Sequence, residues 1–147
     1  MADRVTVTLT PEEAAHVRAQ LLDDVASDVP DEPAGGLIDV GSPYRSVDGA
    51  LEPLRACAAA LERAERICRM FPEPLAACSV VLDPDRAHRA VADLIQQGGD
   101  MVANFCRMGD GLDGDRFRWW LGYINTGAAL RRQLVEQGFE VEPVGRR

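Results

Sequence analysis

The stretch Val5-Thr6-Val7-Thr8-Leu9-Thr10-Pro11 decides the fold, because a related stretch returns later as Ser79-Val80-Val81-Leu82-Asp83-Pro84. Each is a short segment rich in β-branched residues, followed by a polar residue and a proline, a pattern typical of a strand that leads into a capped helix. When the first stretch is shifted by 73 positions, six of the 18 residues from Val5 to Leu22 are identical. The chain is therefore predicted to contain two similar strand-helix-helix halves.

The rest of the chain indicates a mainly α single domain over residues 1–147, built as a bundle of about four helices. The first predicted helix has Thr10 as its N-cap, with Glu13 completing a capping box, and ends near Asp28. The other three run from Ser46 or Asp48 to Phe71, from Asp83 onward, and from Asp115 to about Gln137. Strands at residues 5–9, 79–82 and 139–142 are predicted to form a small sheet or ribbon. The segment 75–82 alone could be strand or helix, and its likeness to Val5–Leu9 favours a strand.

Two glycines interrupt the third helical segment at Gly98 and Gly99. A pair of glycines normally ends a helix. The apolar residues nevertheless keep a seven-residue spacing through this point, with Val91, Gly98 and Phe105 in one register. We therefore expect one continuous helix with a close helix crossing at the glycines, and the alternative is two separate helices.

The segment 29–45 contains three prolines and three glycines and is predicted to be a long loop, either functional or mobile. The four cysteines, Cys57, Cys68, Cys78 and Cys106, form no Cys-x-x-Cys pair and match no zinc-site spacing. With no apolar export signal at the N-terminus, we expect a cytoplasmic protein whose thiols are reduced and mostly buried.

Charge limits the classes of partner. The chain has 16 basic residues, all arginine, against 24 acidic residues, which gives a formal net charge of −8. A surface of that sign repels phosphate backbones and argues against general nucleic-acid binding. No apolar run is long enough to span a membrane, so no membrane partner is expected. The absence of lysine fits a GC-rich genome, so arginine-rich segments are weak evidence for phosphate recognition.

The segment 117–123 holds half of the aromatic residues of the chain. Trp119, Tyr123 and Arg116 share one side of a helix, and these residue types dominate the energetics of protein interfaces. This patch is a candidate for contact with a protein partner or a ligand. The alternative is that Trp119 packs beneath the segment 29–45.

The two histidines each follow a carboxylate by three residues, as Glu13 with His16 and Asp85 with His88. This spacing places both side chains on one helix face, as in the metal sites of helical bundles. The alternative is that Glu13 and Asp85 serve only as first-turn acidic residues that stabilise their helices. No nucleophile elbow, P-loop or dinucleotide-binding motif is present, so no cofactor is predicted and catalysis is not favoured.

The segment from Arg4 to about Val25 resembles the start of ribbon-helix-helix regulators, in which a strand with outward polar residues precedes a capped helix. The resemblance implies DNA contact through Arg4, Thr6 and Thr8 from paired N-terminal strands of a dimer. The chain departs from that family because a Pro/Gly-rich segment of 17 residues stands where the family has a short turn, and because the segment is not basic.

Three functions follow in order of preference. The first is a small acidic, non-catalytic cytoplasmic protein that acts by protein–protein interaction or regulation, with a protein partner or a second copy of itself. The alternative is a small-molecule or metal-binding protein, or an enzyme, with His16 and His88 in its pocket. The third is a ribbon-helix-helix-like DNA-binding regulator.

Overall fold

The computed structural model describes residues 4–27, 57–72 and 74–139. In this part of the chain the protein is mainly helical, as predicted, with four helices and a two-stranded antiparallel sheet. The elements in chain order are β1 (Val5–Leu9), α1 (Pro11–Ser27), α2 (Ala58–Met70), β2 (Cys78–Leu82), α3 (Pro84–Met108) and α4 (Asp115–Glu136). The predictions for 29–45, for the start of the second helix and for residues 140–142 of the third strand lie outside the described residues.

The two related stretches pair with each other as an antiparallel ribbon. Val7 lies opposite Val80 in this pairing. These two residues are also separated by the 73-position offset, so the ribbon has equivalent residues face to face at its centre, as a local two-fold axis would require. The alternation of β1 buries Val5, Val7 and Leu9 and exposes Thr6 and Thr8. β2 is a strand, as the repeat indicated, and begins one residue before the predicted position.

Both helices that follow the strands begin at the predicted caps. The backbone N–H of Glu13 donates to Thr10 Oγ1 at 3.1 Å, and the N–H of Thr10 donates back to Glu13 Oε1 at 2.9 Å. This is a complete capping box. In α3 the N–H of Asp85 donates to Asp83 Oδ1 at 2.9 Å. Local sequence therefore fixes where each helix leaves the ribbon.

Helix α3 continues through Gly98 and Gly99, which confirms the prediction of one helix with a close crossing. A Cβ atom on Gly98 would lie 2.8 Å from the backbone oxygen of Trp120 and 2.8 Å from the Cβ of Tyr123. A Cβ atom on Gly99 would meet nothing within 4 Å. Gly98 is thus a point of close contact between α3 and α4, whereas Gly99 faces open space.

The outer edge of β1 is closed by two glutamine side chains from α4. Gln133 accepts from the N–H of Thr8 at 2.8 Å and donates to the carbonyl of Thr8 at 2.9 Å. Gln137 makes the same pair of contacts with Thr6, at 3.3 and 2.7 Å. Residues four apart on a helix rise about 6 Å, close to the span of two residues in a strand. The side-chain amides therefore occupy the positions that a third strand would take.

The core lies between the inner face of the ribbon and the four helices. Its largest fully buried side chains are Tyr123, Phe71, Leu9, Leu21, Ile67, Leu82, Leu94, Leu130 and Leu134. The expectation of mostly buried cysteines is wrong: Cys57, Cys68 and Cys78 are half-buried, and Cys106 is exposed. Cys106 is exposed because it lies on α3 beyond Gly98, where the helix has left the core.

Candidate functional site

His16 lies in the interior, between α1 and α4. Only 6% of its surface is exposed, and its Nδ1 forms a hydrogen bond with Oγ1 of Thr126 at 2.8 Å. Helix α4 offers room for the imidazole because residue 122 is glycine: a Cβ there would lie 2.6 Å from His16 Nε2. Gly122 and Thr126 lie four residues apart on one face of α4. Gly122 leaves space for the imidazole ring, and Thr126 provides its hydrogen-bond partner.

Aromatic rings from α4 surround the imidazole. The ring centroids of His16 and Trp119 are 4.4 Å apart, and those of His16 and Tyr123 are 5.5 Å apart in an edge-to-face arrangement. The ring of Trp120 also meets that of Tyr123 edge to face, with centroids 4.8 Å apart. Sequence reasoning assigned His16 and Trp119 to separate hypotheses, and the structure brings them together in one aromatic cluster.

Burial determines the charge state of His16. Removal from water lowers the pKa of its imidazole to about 4, and the nearby carboxylate of Glu13 only partly opposes this shift. The ring is therefore neutral near pH 7. A neutral imidazole that packs on two aromatic rings and bonds a threonine has the contacts of a core residue rather than of a residue that faces a ligand.

The four residues proposed as metal or ligand contacts are not gathered. Glu13 is held in the capping box, and Asp85 lies in the first turn of α3. His88 is half-buried on α3. Among the described residues, no group of three or more His, Cys, Asp or Glu side chains is placed to hold a metal ion.

The predicted patch of Trp119, Tyr123 and Arg116 divides between core and surface. Tyr123 is fully buried, so its side chain belongs to the core. Trp119 is half-buried, with its ring against His16, and Arg116 is exposed. In this structure only Trp119 and Arg116 have surface that a partner could contact, and the role of these residues stays a prediction.

A larger apolar surface contains Trp119 and Arg116 of this patch and extends beyond them. The buried residues of α3 end at Gly98, and those of α4 begin at Tyr123. Residues 99–122, which we call the arm, comprise the ends of both helices and the turn between them, and not one of them is buried. At 1.5 Å per residue, the part of α3 beyond Gly98 carries the arm about 15 Å past the core.

The arm is apolar along much of its length. Phe105 of α3 and Phe117 of α4 meet edge to face, with ring centroids 5.7 Å apart, and both remain partly exposed. Three further side chains on it are exposed: Met108 by 67%, Leu112 by 44% and Leu121 by 36%. Sequence reasoning missed this surface because the same apolar spacing predicts a buried helix face. Only the position of the core shows that the arm extends beyond it.

A buried acid group was also missed. Asp24 of α1 accepts from Gln20 Nε2 at 3.0 Å, and its carboxylate lies 3.8 Å from Nε of Arg89, which is 3.6 Å from Asp93. The pKa of Asp24 is raised to about 7. Burial is the largest cause, and the hydrogen bond and negative charge of the neighbouring Asp93 add to it. The sequence signal was a carboxylate directly before Val25, on the apolar side of α1.

Comparisons with protein families, with curated proteins and with solved structures find no match. In the described ranges, no helix has the length and apolar character needed to cross a membrane.

Proposed function

We propose that this is a cytoplasmic, non-catalytic protein that acts by binding another protein through the arm, and that its partner is a second copy of itself. The observation that carries this proposal is the arm, which extends apolar side chains past the core and leaves every one of them at least partly exposed. A cytoplasmic location is supported by the cysteines, all four of which lie in the described ranges and none of which forms a disulfide.

The shape of the arm favours self-association. The two helices of the arm pack against each other, so each covers the apolar side chains of the other on one side only. Stable domains bury such an exposed apolar surface against a further layer of structure. Two copies of the arm, packed through their open sides, would form four antiparallel helices around a shared seam. A two-fold arrangement of this kind is the commonest way in which identical chains associate.

Charge supports the same partner. The whole chain has a formal net charge of −8, which opposes the contact of two copies at most surfaces. The arm is close to neutral, because its four acidic residues face three basic ones: Asp100, Asp110, Asp113 and Asp115 against Arg107, Arg116 and Arg118. Like-charge repulsion between copies is therefore weaker at the arm than over the chain as a whole.

The test compares two double variants with matched exposure. Met108→Ser with Leu112→Ser removes apolar surface from the arm, whereas Val81→Ser with Val135→Ser removes side chains that are 53% and 56% exposed elsewhere. Each dimer of the arm variant would lose four apolar side chains. At about 0.5–1 kcal/mol each, this loss raises Kd by more than about tenfold.

The measurement is sedimentation equilibrium of the untagged protein from about 1 to 100 µM. We expect a monomer–dimer equilibrium that the arm variant weakens and the control variant leaves unchanged. A chain that stays monomeric over the whole range would overturn the proposal, as would a dimer that both double variants weaken equally. Circular dichroism melts of both variants show whether either has lost its fold.

The other two hypotheses receive less support from the geometry. A pocket shared by His16 and His88 has no basis in the contacts of His16, which are to Thr126 and to aromatic rings. The ribbon-helix-helix resemblance requires the N-terminal strands of two copies to pair. In this chain β1 pairs with β2, and Gln133 and Gln137 occupy its other edge.

A further inference from the structure

A cavity of about 530 Å³ lies away from the arm, where α1, α2 and the junction of β2 with α3 meet. Arginine is 16 of the 147 residues of the chain, yet it supplies five of the thirteen residues that line this cavity. These five come from the start of β1, from α2 and from α3: Arg4, Arg63, Arg66, Arg86 and Arg89. The absence of lysine makes every basic residue of the chain an arginine but does not explain this concentration.

The acidic residues of the cavity do not cancel this charge. Three aspartates line it, and Asp83 is engaged by the N–H of Asp85 as the cap of α3. Asp24 is bonded by Gln20, and burial raises its pKa to about 7, so near neutrality it carries less negative charge than an ordinary carboxylate. With five arginines against Asp24, Asp83 and Asp85, the lining carries more basic than acidic residues, even though Arg89 also pairs with Asp93 and the chain as a whole has a net charge of −8.

Guanidinium groups suit an anion with several oxygen atoms. Each guanidinium carries five N–H donors in a fixed plane. A single neighbouring carboxylate does not accept from all five. The ion pair between Arg66 and Glu62 is 3.8 Å long, and both side chains are more than half exposed, so water screens it and an incoming anion can compete. Because the arginines come from three separate elements, they suit an anion with oxygen atoms on several sides, such as a phosphate.

The size and the walls of the cavity indicate more than a bare ion. Its volume lies in the range of small-molecule pockets, far above the space that one phosphate needs. Apolar side chains line the remainder: Leu21, Val25, Met70, Val81 and Leu82. A concave site of this size with an acidic exterior also opposes nucleic acid, which needs an extended basic surface.

We propose that the cavity binds a small organic phosphate, with the arginines on the phosphate and the apolar wall against the organic part. The proposal does not depend on self-association through the arm. It assigns a ligand class to the five arginines of the cavity, of which Arg89 also pairs with Asp24 and Asp93, and Arg66 with Glu62.

The test uses phenyl phosphate as the probe and isothermal titration calorimetry at constant ionic strength. The variant is Arg66→Gln with Arg86→Gln, two exposed residues of the cavity. The control is Arg69→Gln with Arg132→Gln, two exposed arginines that do not line it. Both double variants change the net charge of the chain equally, so a general electrostatic effect would appear in both. Thermal melts without ligand verify that both variants fold.

We expect phenyl phosphate to bind the wild-type chain and the control variant equally, and the cavity variant at least about tenfold more weakly, because two charge-assisted contacts are lost. Inorganic phosphate should bind more weakly than phenyl phosphate. Absence of phenyl phosphate binding, or equal weakening in both variants, would overturn the site. Tighter binding of benzoate would overturn the phosphate assignment, and tighter binding of a short single-stranded oligonucleotide would overturn the small-molecule assignment.

Discussion

The neighbouring glycines of α3 allow packing to be separated from helix propensity with two substitutions. Gly98→Ala and Gly99→Ala place the same methyl group at adjacent positions of one helix. Each removes the entropy cost of a glycine within a helix, which stabilises the fold by about 1 kcal/mol. The surroundings differ, because the new Cβ meets nothing within 4 Å at Gly99 but lies 2.8 Å from two atoms of α4 at Gly98.

Those two atoms cannot move aside independently. They are the backbone oxygen of Trp120 and the Cβ of Tyr123, a residue that is fully buried. The methyl group at Gly98 must therefore push α3 and α4 apart. Inserting an extra methyl group into a packed interior costs about 1–3 kcal/mol. After the gain in propensity, we expect Gly98→Ala to be destabilised by up to about 2 kcal/mol and Gly99→Ala to be stabilised by about 1 kcal/mol.

The assay is urea unfolding followed by tryptophan fluorescence and by circular dichroism. The difference in unfolding free energy between the two variants, about 1–3 kcal/mol, isolates the packing cost, because the propensity gain is common to both. In thermal melts this corresponds to a separation of roughly 3–9 °C for a chain of this length. A Gly98→Ala protein as stable as Gly99→Ala would refute the close crossing and with it the base of the arm.

Two further predictions concern charge and the strand edge. The pKa of Asp24 is raised to about 7 in the fold, against about 3.9 when unfolded, so its neutral form stabilises the protein below about pH 4 and this contribution is lost as pH rises through 7. Asp24→Asn should therefore gain stability relative to wild type as pH increases from 4 to 8, and urea unfolding that shows a constant difference would contradict this. Gln133→Ala removes both contacts with the backbone of Thr8 and should cost about 1–2 kcal/mol. Gln96→Ala, an exposed position on α3, is the control, and equal losses in the two would contradict the edge contact.

Features set by neighbours in sequence could be predicted. The capping box of Thr10 with Glu13 depends on residues three apart, and the structure forms it as written in the sequence. The continuity of α3 followed from the register of its apolar residues through Gly98, which outweighed the tendency of paired glycines to end a helix. In each case the deciding interaction lies within one helix or between two adjacent ones.

Features that depend on distant residues could not be predicted. His16 meets Thr126 across 110 positions, and Thr8 meets Gln133 across 125. Nothing in the periodicity of α1 indicates which helix will face it. The arginines of the cavity likewise come from separate elements, so no local motif marks them. The spacing placed Tyr123 on the same side of α4 as Trp119. Whether that side was core or surface depended on α1 and α3, which pack against Tyr123.

The face-to-face placement of Val7 and Val80 makes the ribbon a contact between distant parts of the chain. The free energy of closing a chain segment grows only with the logarithm of its length, by about 0.6 kcal/mol for each doubling. A change of a few residues in the length of chain between Leu9 and Cys78 therefore alters this closure cost by only a small fraction of that amount. By contrast, the connection between α3 and α4 runs only from Gly109 to Gly114 and holds two helices in register, so the same change would displace every contact beyond it.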